Sequence, residues 1–134
     1  MASNLDLVRT YMRAVNDDAM DSARSLVHPE IEYSEASDLP GAAHVSGIDE
    51  LLSYGYGWRK NWSEWDWREE EAVDLPPDRV LVVATLRLRG LRSGIWVDDR
   101  WAYIFTMRDE LILRLAGYNT RDEALAAMGQ EQRR

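Results

Sequence analysis

The chain of 134 residues carries 16 basic and 24 acidic side chains, a formal net charge of −8, and no cysteine. A chain of this length builds one domain around a single core, and its negative charge disfavours contact with nucleic-acid phosphates and anionic membranes. No apolar run approaches the roughly 20 residues of a membrane-spanning helix, and the absence of cysteine is compatible with a reducing cytoplasm. We therefore expect a cytoplasmic protein with one domain, 1–130, and a frayed tail, 131–134.

The first third of the sequence predicts two helices and a strand. Apolar residues recur at helical spacing in residues 4–15, and a second, shorter helix follows over 20–27. That helix should end before Pro29, because proline disfavours helical geometry at the residue before it. Alternating residues in 30–36 then predict a short strand. The Ser, Asp, Pro and Gly content of 37–47 predicts a loop.

The remaining sequence predicts a third helix, four long strands and a closing helix. The third helix begins at Ser46 and runs to about Trp58. Segments that alternate with period two follow, separated by short turns: 63–75, 79–90, 93–107 and 111–119. Thr120 and Glu123 form a capping box at the start of the last helix. Short connections predict an antiparallel meander, and helices grouped at the front predict an α+β fold with the helices on one face of a curled, cone-shaped sheet.

The third long strand has two different faces. One face carries three large aromatic residues, Trp101, Tyr103 and Phe105. The other carries Arg100, Ala102, Ile104 and Thr106. Large aromatic residues are enriched at protein interfaces, so we assign the aromatic face to a homodimer interface on the outside of the sheet. The face that holds Arg100 and Ile104 is then predicted to line the interior.

This order of elements resembles the nuclear transport factor 2-like superfamily, most closely its SnoaL-like branch. The matching phrases are VRTYMRAVNDDAMDSARSLVHPEIEY, VSGIDELLSY and DRVLVVATLRLRGLRSGIWVDDRWAYIFTMRDELILRLAGYNTRDEAL. The resemblance covers nearly the whole chain and implies a cystatin-like, cone-shaped α+β barrel. The superfamily contains polyketide cyclases, ketosteroid isomerases, epoxide hydrolases and non-catalytic transport or assembly proteins, so the resemblance leaves the function open.

The resemblance also implies candidate catalytic residues. Tyr11 lies where ketosteroid isomerases carry a donor tyrosine, and Glu35 lies where they carry the general base. Their second oxyanion donor corresponds to Ala102, which argues against steroid isomerisation. The last-strand aspartate of limonene-type epoxide hydrolases corresponds to about Gly117, which argues against that activity. SnoaL-like cyclases move a proton next to a carbonyl, for which Glu35 is the candidate base, with Arg100 or Tyr11 stabilising the oxygen.

Two hypotheses for the function remain open. The first is a cyclase or isomerase with acid–base chemistry in an apolar pocket, and the alternative is a non-catalytic ligand-binding or dimeric assembly module. Both predict a small apolar or aromatic ligand. The predicted ligand-binding residues are Tyr33, Trp58, Trp62, Ile104 and Gly117. Two isolated histidines give no metal signature, and we expect neither a metal nor a cofactor.

Overall fold

The computed structural model describes residues 3–35 and 43–132. Its helices are α1 (Asn4–Asn16), α2 (Met20–Arg24), α3 (Ile48–Arg59) and α4 (Arg121–Gln132). Its strands are β1 (Val27–Glu35), β2 (His44–Ser46), β3 (Trp62–Leu75), β4 (Arg79–Gly90), β5 (Trp96–Arg108) and β6 (Leu111–Tyr118). None of the described helices combines the length and the apolar character that crossing a membrane requires.

The strands form one curved, unclosed sheet in the order β2-β1-β6-β5-β4-β3. Strands β3 to β6 make the predicted antiparallel meander, and the α+β fold class is confirmed. Two pairings were not predicted. Residues 44–46 form an edge strand beside β1 instead of a loop, and β1 pairs with β6 in parallel.

The first strand begins earlier than the sequence predicts. The second helix ends at Arg24, and β1 already starts at Val27 and includes Pro29. The register between β1 and β6 shifts between Val27 and Glu32. Pro29 therefore lies in an interruption of the ladder, where its missing N–H group leaves no hydrogen bond unmade.

Both faces of the sheet bury apolar residues. We call the face that packs against α1, α2 and α3 the inner face, and its core includes Val8, Val80, Val82, Phe105 and Ile112. The opposite, outer face packs against α4 through Leu81, Val83, Ala102, Ile104 and Ala124. The helices therefore cover both faces of the sheet, whereas the sequence pattern predicted them on one face. Successive residues of 80–84 in β4 are apolar and point to opposite sides, so each face needs a covering layer.

Strand β5 is turned the other way from our expectation. Its aromatic residues do share one face, but that face is the inner one, where Phe105 has no exposed surface. Ile104 lies on the outer face and packs in the same cluster as Ala124 of α4. The assignment of the aromatic face to an interface is therefore wrong. Alternation along a strand shows which residues share a face, but it does not show which face the helices cover.

The closing helix α4 begins as the sequence predicts. The Glu123 N–H donates to Thr120 Oγ1 at 3.1 Å, which satisfies one of the free N–H groups of the first turn. The helix extends to Gln132, two residues into the predicted tail, and residues 133–134 lie outside the described part of the chain.

Candidate functional site

A cavity of about 460 Å³ lies between the inner face of the sheet and the first three helices. Five of the six tryptophans line it: Trp58, Trp62, Trp65, Trp67 and Trp101. Aliphatic residues such as Leu86 and Leu88 line the wall between them. Cavities of this size, mostly apolar and with few polar groups, are typical of sites for small molecules.

Tyr11 of α1 contributes to the cavity wall. Its ring meets the rings of Trp67 and Phe105 edge-on, with centroid distances of 6.3 Å in both cases. Burial raises the pKa of Tyr11 to about 12, because an ionised phenol would lose its hydration there. The hydroxyl is protonated at neutral pH, as in an ordinary tyrosine, and burial keeps it protonated in more alkaline solution as well.

Glu35 places a carboxylate at the cavity wall, at the end of β1. Its Oε2 atom accepts a hydrogen bond from the Tyr33 hydroxyl at 3.1 Å, and its Oε1 atom accepts one from the Ala43 N–H at 2.9 Å. These two donors fix the orientation of the carboxylate. Each oxygen can accept a second hydrogen bond, so both remain able to bind a ligand group.

The phenol groups around this carboxylate stay neutral. The rings of Tyr33 and Tyr54 lie 5.5 Å apart, and both residues line the cavity. Burial raises the pKa of Tyr33, and the nearby Glu35 charge raises it further. The same two causes raise the pKa of Tyr54, and burial raises the pKa of Tyr103. The site thus presents a carboxylate among hydroxyl groups that keep their protons.

Comparison with known families identifies the chain. A family model, described as the SnoaL-like domain, matches residues 8–115. The chain belongs to the SnoaL-like domain family. The resemblance stated from the sequence is therefore confirmed. No curated protein matches this SnoaL-like chain in sequence.

Solved structures share the fold of this SnoaL-like protein at low sequence identity. An NTF2-like protein from Burkholderia pseudomallei has a TM-score of 0.78 at 13% identity, over 94% of this chain and 97% of that one. A candidate polyketide cyclase from Sinorhizobium meliloti has a TM-score of 0.66 at 23% identity, over 84% and 93%. TerC, co-crystallised with polyporic acid, has a TM-score of 0.76 at 17% identity, over 95% of each chain. At these identities the likenesses show the fold alone.

Three residues predicted for the site of the SnoaL-like protein lie elsewhere. Arg100 is on the outer face, 68% exposed, and its Nε atom is 2.9 Å from Glu70 Oε2. Ile104 belongs to the outer core. Both predictions are wrong because the inner face of β5 carries the odd-numbered residues. Gly117 lies behind the cavity wall: a Cβ atom there would be 3.4 Å from the Trp101 ring, which covers it.

The predicted ligand-binding residues Trp58 and Trp62 do line the cavity, as does Tyr33. The rings of Trp58 and Trp62 have centroids 6.2 Å apart. The register of β3 shifts between Trp62 and Glu64, which inserts one extra residue. This shift turns Trp62 to the same face as Trp65, although strict alternation would separate them.

The charged residues that line the cavity but were not predicted as site residues include Asp99 and Arg59. Asp99 lies on the inner side of β5, where its Oδ2 atom accepts a hydrogen bond from Trp101 Nε1 at 2.7 Å. Arg59 ends α3 and forms an ion pair with Asp18. The sequence contained a signal that could have indicated both as site residues. Arg59 and Asp99 each lie one or two residues from a tryptophan that lines the cavity.

Proposed function

We propose that this protein binds a flat, largely apolar small molecule in the cavity on the inner face of the sheet. The observation that carries the proposal is one cavity lined by five tryptophans and by a carboxylate of fixed orientation, Glu35. Aromatic side chains pack well against flat ring systems. TerC, which shares the fold, was co-crystallised with polyporic acid, and this supports the proposal by analogy. We place the protein in the cytoplasm, in line with a sequence that has no cysteine.

The chemistry that we propose is proton transfer next to a carbonyl group, as in a polyketide cyclase or an isomerase. Glu35 removes a proton from the carbon beside the carbonyl, and the Tyr11 hydroxyl donates a hydrogen bond to the oxygen on which negative charge develops. Support comes from the position of both groups on one cavity. The step uses side chains of this chain alone.

A second candidate function is ligand binding without catalysis. It is favoured by the hydrogen bonds that both oxygens of Glu35 already accept, from Tyr33 and from the Ala43 N–H. Such an arrangement also suits a carboxylate whose task is to hold a donor group of the ligand. Under this alternative the protein is a binding or assembly module built on the same cavity.

Ligand binding is tested by quenching of tryptophan fluorescence with 2-methoxy-1,4-naphthoquinone, a flat and uncharged probe. We expect saturable quenching, since five tryptophans line the cavity. A Gly55→Leu variant should bind the probe about tenfold more weakly, a loss of about 1.4 kcal/mol, because its side chain enters the cavity beside Met20. Gly57→Leu is the matched control on the same helix, since an added Cβ meets no atom within 4 Å among the described residues. Equal affinity of the two variants would contradict the placement of the ligand.

The homodimer through the outer face of the sheet also stays a proposal, now with different residues. Beyond α4 the outer face is charged: Asp66, Arg87 and Asp98 stand opposite one another on β3, β4 and β5. This row supports a polar interface. We expect sedimentation at tens of micromolar, roughly the range suited to weak interfaces, to give the mass of a dimer. Arg87→Glu should shift the protein to monomer and Arg13→Glu, on the exposed side of α1, should not. A monomeric wild type would contradict the proposal.

A further inference from the structure

One cation of the cavity has hydrogen-bonding groups without a partner. Arg59 uses its Nη2 atom for the ion pair with Asp18, in the turn after α1. Its Nε and Nη1 atoms are buried, and neither has a hydrogen-bond partner within residues 3–35 and 43–132. A buried charged donor without an acceptor is unfavourable, because it has lost its hydration and gained no replacement. The guanidinium therefore lacks acceptors that a ligand can supply.

The surroundings of Arg59 are aromatic. The guanidinium carbon lies 5.0 Å from the ring centroid of Tyr56 and 5.5 Å from that of Trp65. The Nε1 atom of Trp62, on the same cavity, is likewise buried without a partner among the described residues. Unpaired N–H groups of two side chains thus occur together with flat rings. This combination suits a flat ligand that carries oxygen acceptors.

The other arginine of the cavity is less suited to bind an anion. Arg24 is half exposed, and its Nη2 atom lies 3.3 Å from Asp49 Oδ1. The side chain of Arg59 is only 21% exposed. Because water screens charges less in buried positions, the field of Arg59 acts more strongly on a group inside the cavity.

We propose that Arg59 binds an ionised oxygen group of the ligand, so that the ligand is an aromatic or polyketide-like acid. The ionised oxygen group is a carboxylate or an ionised enol, in either case attached to a flat ring system. Its oxygen accepts charge-assisted hydrogen bonds from the Nε and Nη1 groups of the guanidinium, which the ion pair with Asp18 leaves free. The inference rests on the proposed function and adds the class of ligand to it.

The test compares acids with uncharged molecules of nearly the same shape, by tryptophan quenching at neutral pH. The pairs are 2-hydroxy-1,4-naphthoquinone with its 2-methoxy ether, and 2-naphthoate with 2-naphthamide. In the wild type we expect at least one acid to bind about tenfold more tightly than its neutral partner. The pair that shows the larger difference in affinity indicates whether Arg59 prefers an ionised enol or a carboxylate. Arg59→Gln should weaken binding of that acid about tenfold and of its neutral partner less than about threefold.

Three further variants keep the inference falsifiable. Arg100→Gln, the matched control for loss of one positive charge, should leave both affinities unchanged because Arg100 faces outward. Asp18→Asn should strengthen binding of the acid about threefold, since it removes a competing anion, and asparagine tolerates the backbone φ of 57° at this position. This variant gives a result even where Arg59→Gln fails to fold. Weaker binding of the acid in Asp18→Asn, or loss of the preference in Arg24→Gln instead of Arg59→Gln, would overturn the inference.

The outcomes separate this inference from the proposed function. Equal binding of acids and neutral partners by the wild type would overturn the role of Arg59 and leave the ligand cavity standing. Absence of quenching by all four probes would overturn the proposed function as well.

Discussion

A Glu35→Gln variant is expected to remove protons next to a carbonyl about 10²- to 10⁴-fold more slowly than the wild type. Glutamine keeps the size of the side chain, and its carbonyl oxygen can accept a hydrogen bond from Tyr33 or from the Ala43 N–H. It cannot accept the substrate proton as a carboxylate does. The rate is measured as deuterium exchange at the carbon between the ring and the carbonyl of 2-tetralone, followed by proton NMR in D₂O.

The matched control for this prediction is Glu32→Gln. Glu32 lies on the same strand, and its carboxylate accepts a hydrogen bond from Ser46 Oγ at 2.8 Å. It does not line the cavity, so its loss changes the net charge by the same amount without changing the site. Exchange by Glu35→Gln as fast as by the wild type would contradict the role of general base. Binding of 2-tetralone by a wild type that exchanges no faster than buffer would favour the second candidate function.

Replacing Phe105 by alanine is expected to lower the free energy of unfolding by about 3–5 kcal/mol. Phe105 has no exposed surface, and its ring contacts Trp67 and Tyr103 at centroid distances of 6.4 Å, besides Tyr11 at 6.3 Å. Removing the ring takes away its buried area and leaves a void that neighbouring rings cannot fill. Because domains are stable by only about 5–15 kcal/mol, this one change removes a large part of the total.

Denaturation with urea measures this loss, with Ile95→Ala as the control. Ile95 is 64% exposed, so its truncation should change the free energy of unfolding by less than about 0.5 kcal/mol. The comparison also tests the orientation of β5. If Phe105 lay on an outer interface, its truncation would lower the free energy of unfolding of a monomer only slightly. A loss below about 1 kcal/mol for Phe105→Ala would therefore contradict the inward orientation.

Local sequence patterns predicted most of the helices and strands. They did not predict which distant segments pair in the sheet. The four long strands and the Thr120 cap follow from alternation and from residues close in sequence. Strand β2 has three residues, too few for a recognisable alternation. Its existence and the parallel pairing of β1 with β6 depend on contacts between segments that are far apart in the chain.

The faces of the strands were predictable only in relative terms. Period two correctly grouped the aromatic residues of β5, but the packing of the helices decides that this group faces inward. In β3, register shifts after Trp62 and after Glu69 break the strict alternation. A shift of one residue reverses the facing of every residue beyond it, and no residue type in 62–73 marks where it occurs.

The site was predictable where resemblance to a family supplied positions. Tyr11 and Glu35 come from that resemblance, and the structure brings both to one cavity. Arg59 was missed because an arginine at the end of a helix, next to Lys60, is typical of a solvated terminus. Its burial depends on Asp18 and Trp65, which lie on other elements.

The two halves of strand β4 have different surroundings. Residues 80–84 are buried, with helices on both sides of the sheet, whereas residues 85–89 face the cavity on one side and solvent on the other. Substitutions in the second half can therefore reshape the binding space while the fold-defining half stays intact. A library aimed at new ligand preferences should vary Leu86 and Leu88, together with Val97 on the neighbouring strand β5, and preserve 80–84. The same separation offers a physical reason why one architecture accommodates unrelated small molecules.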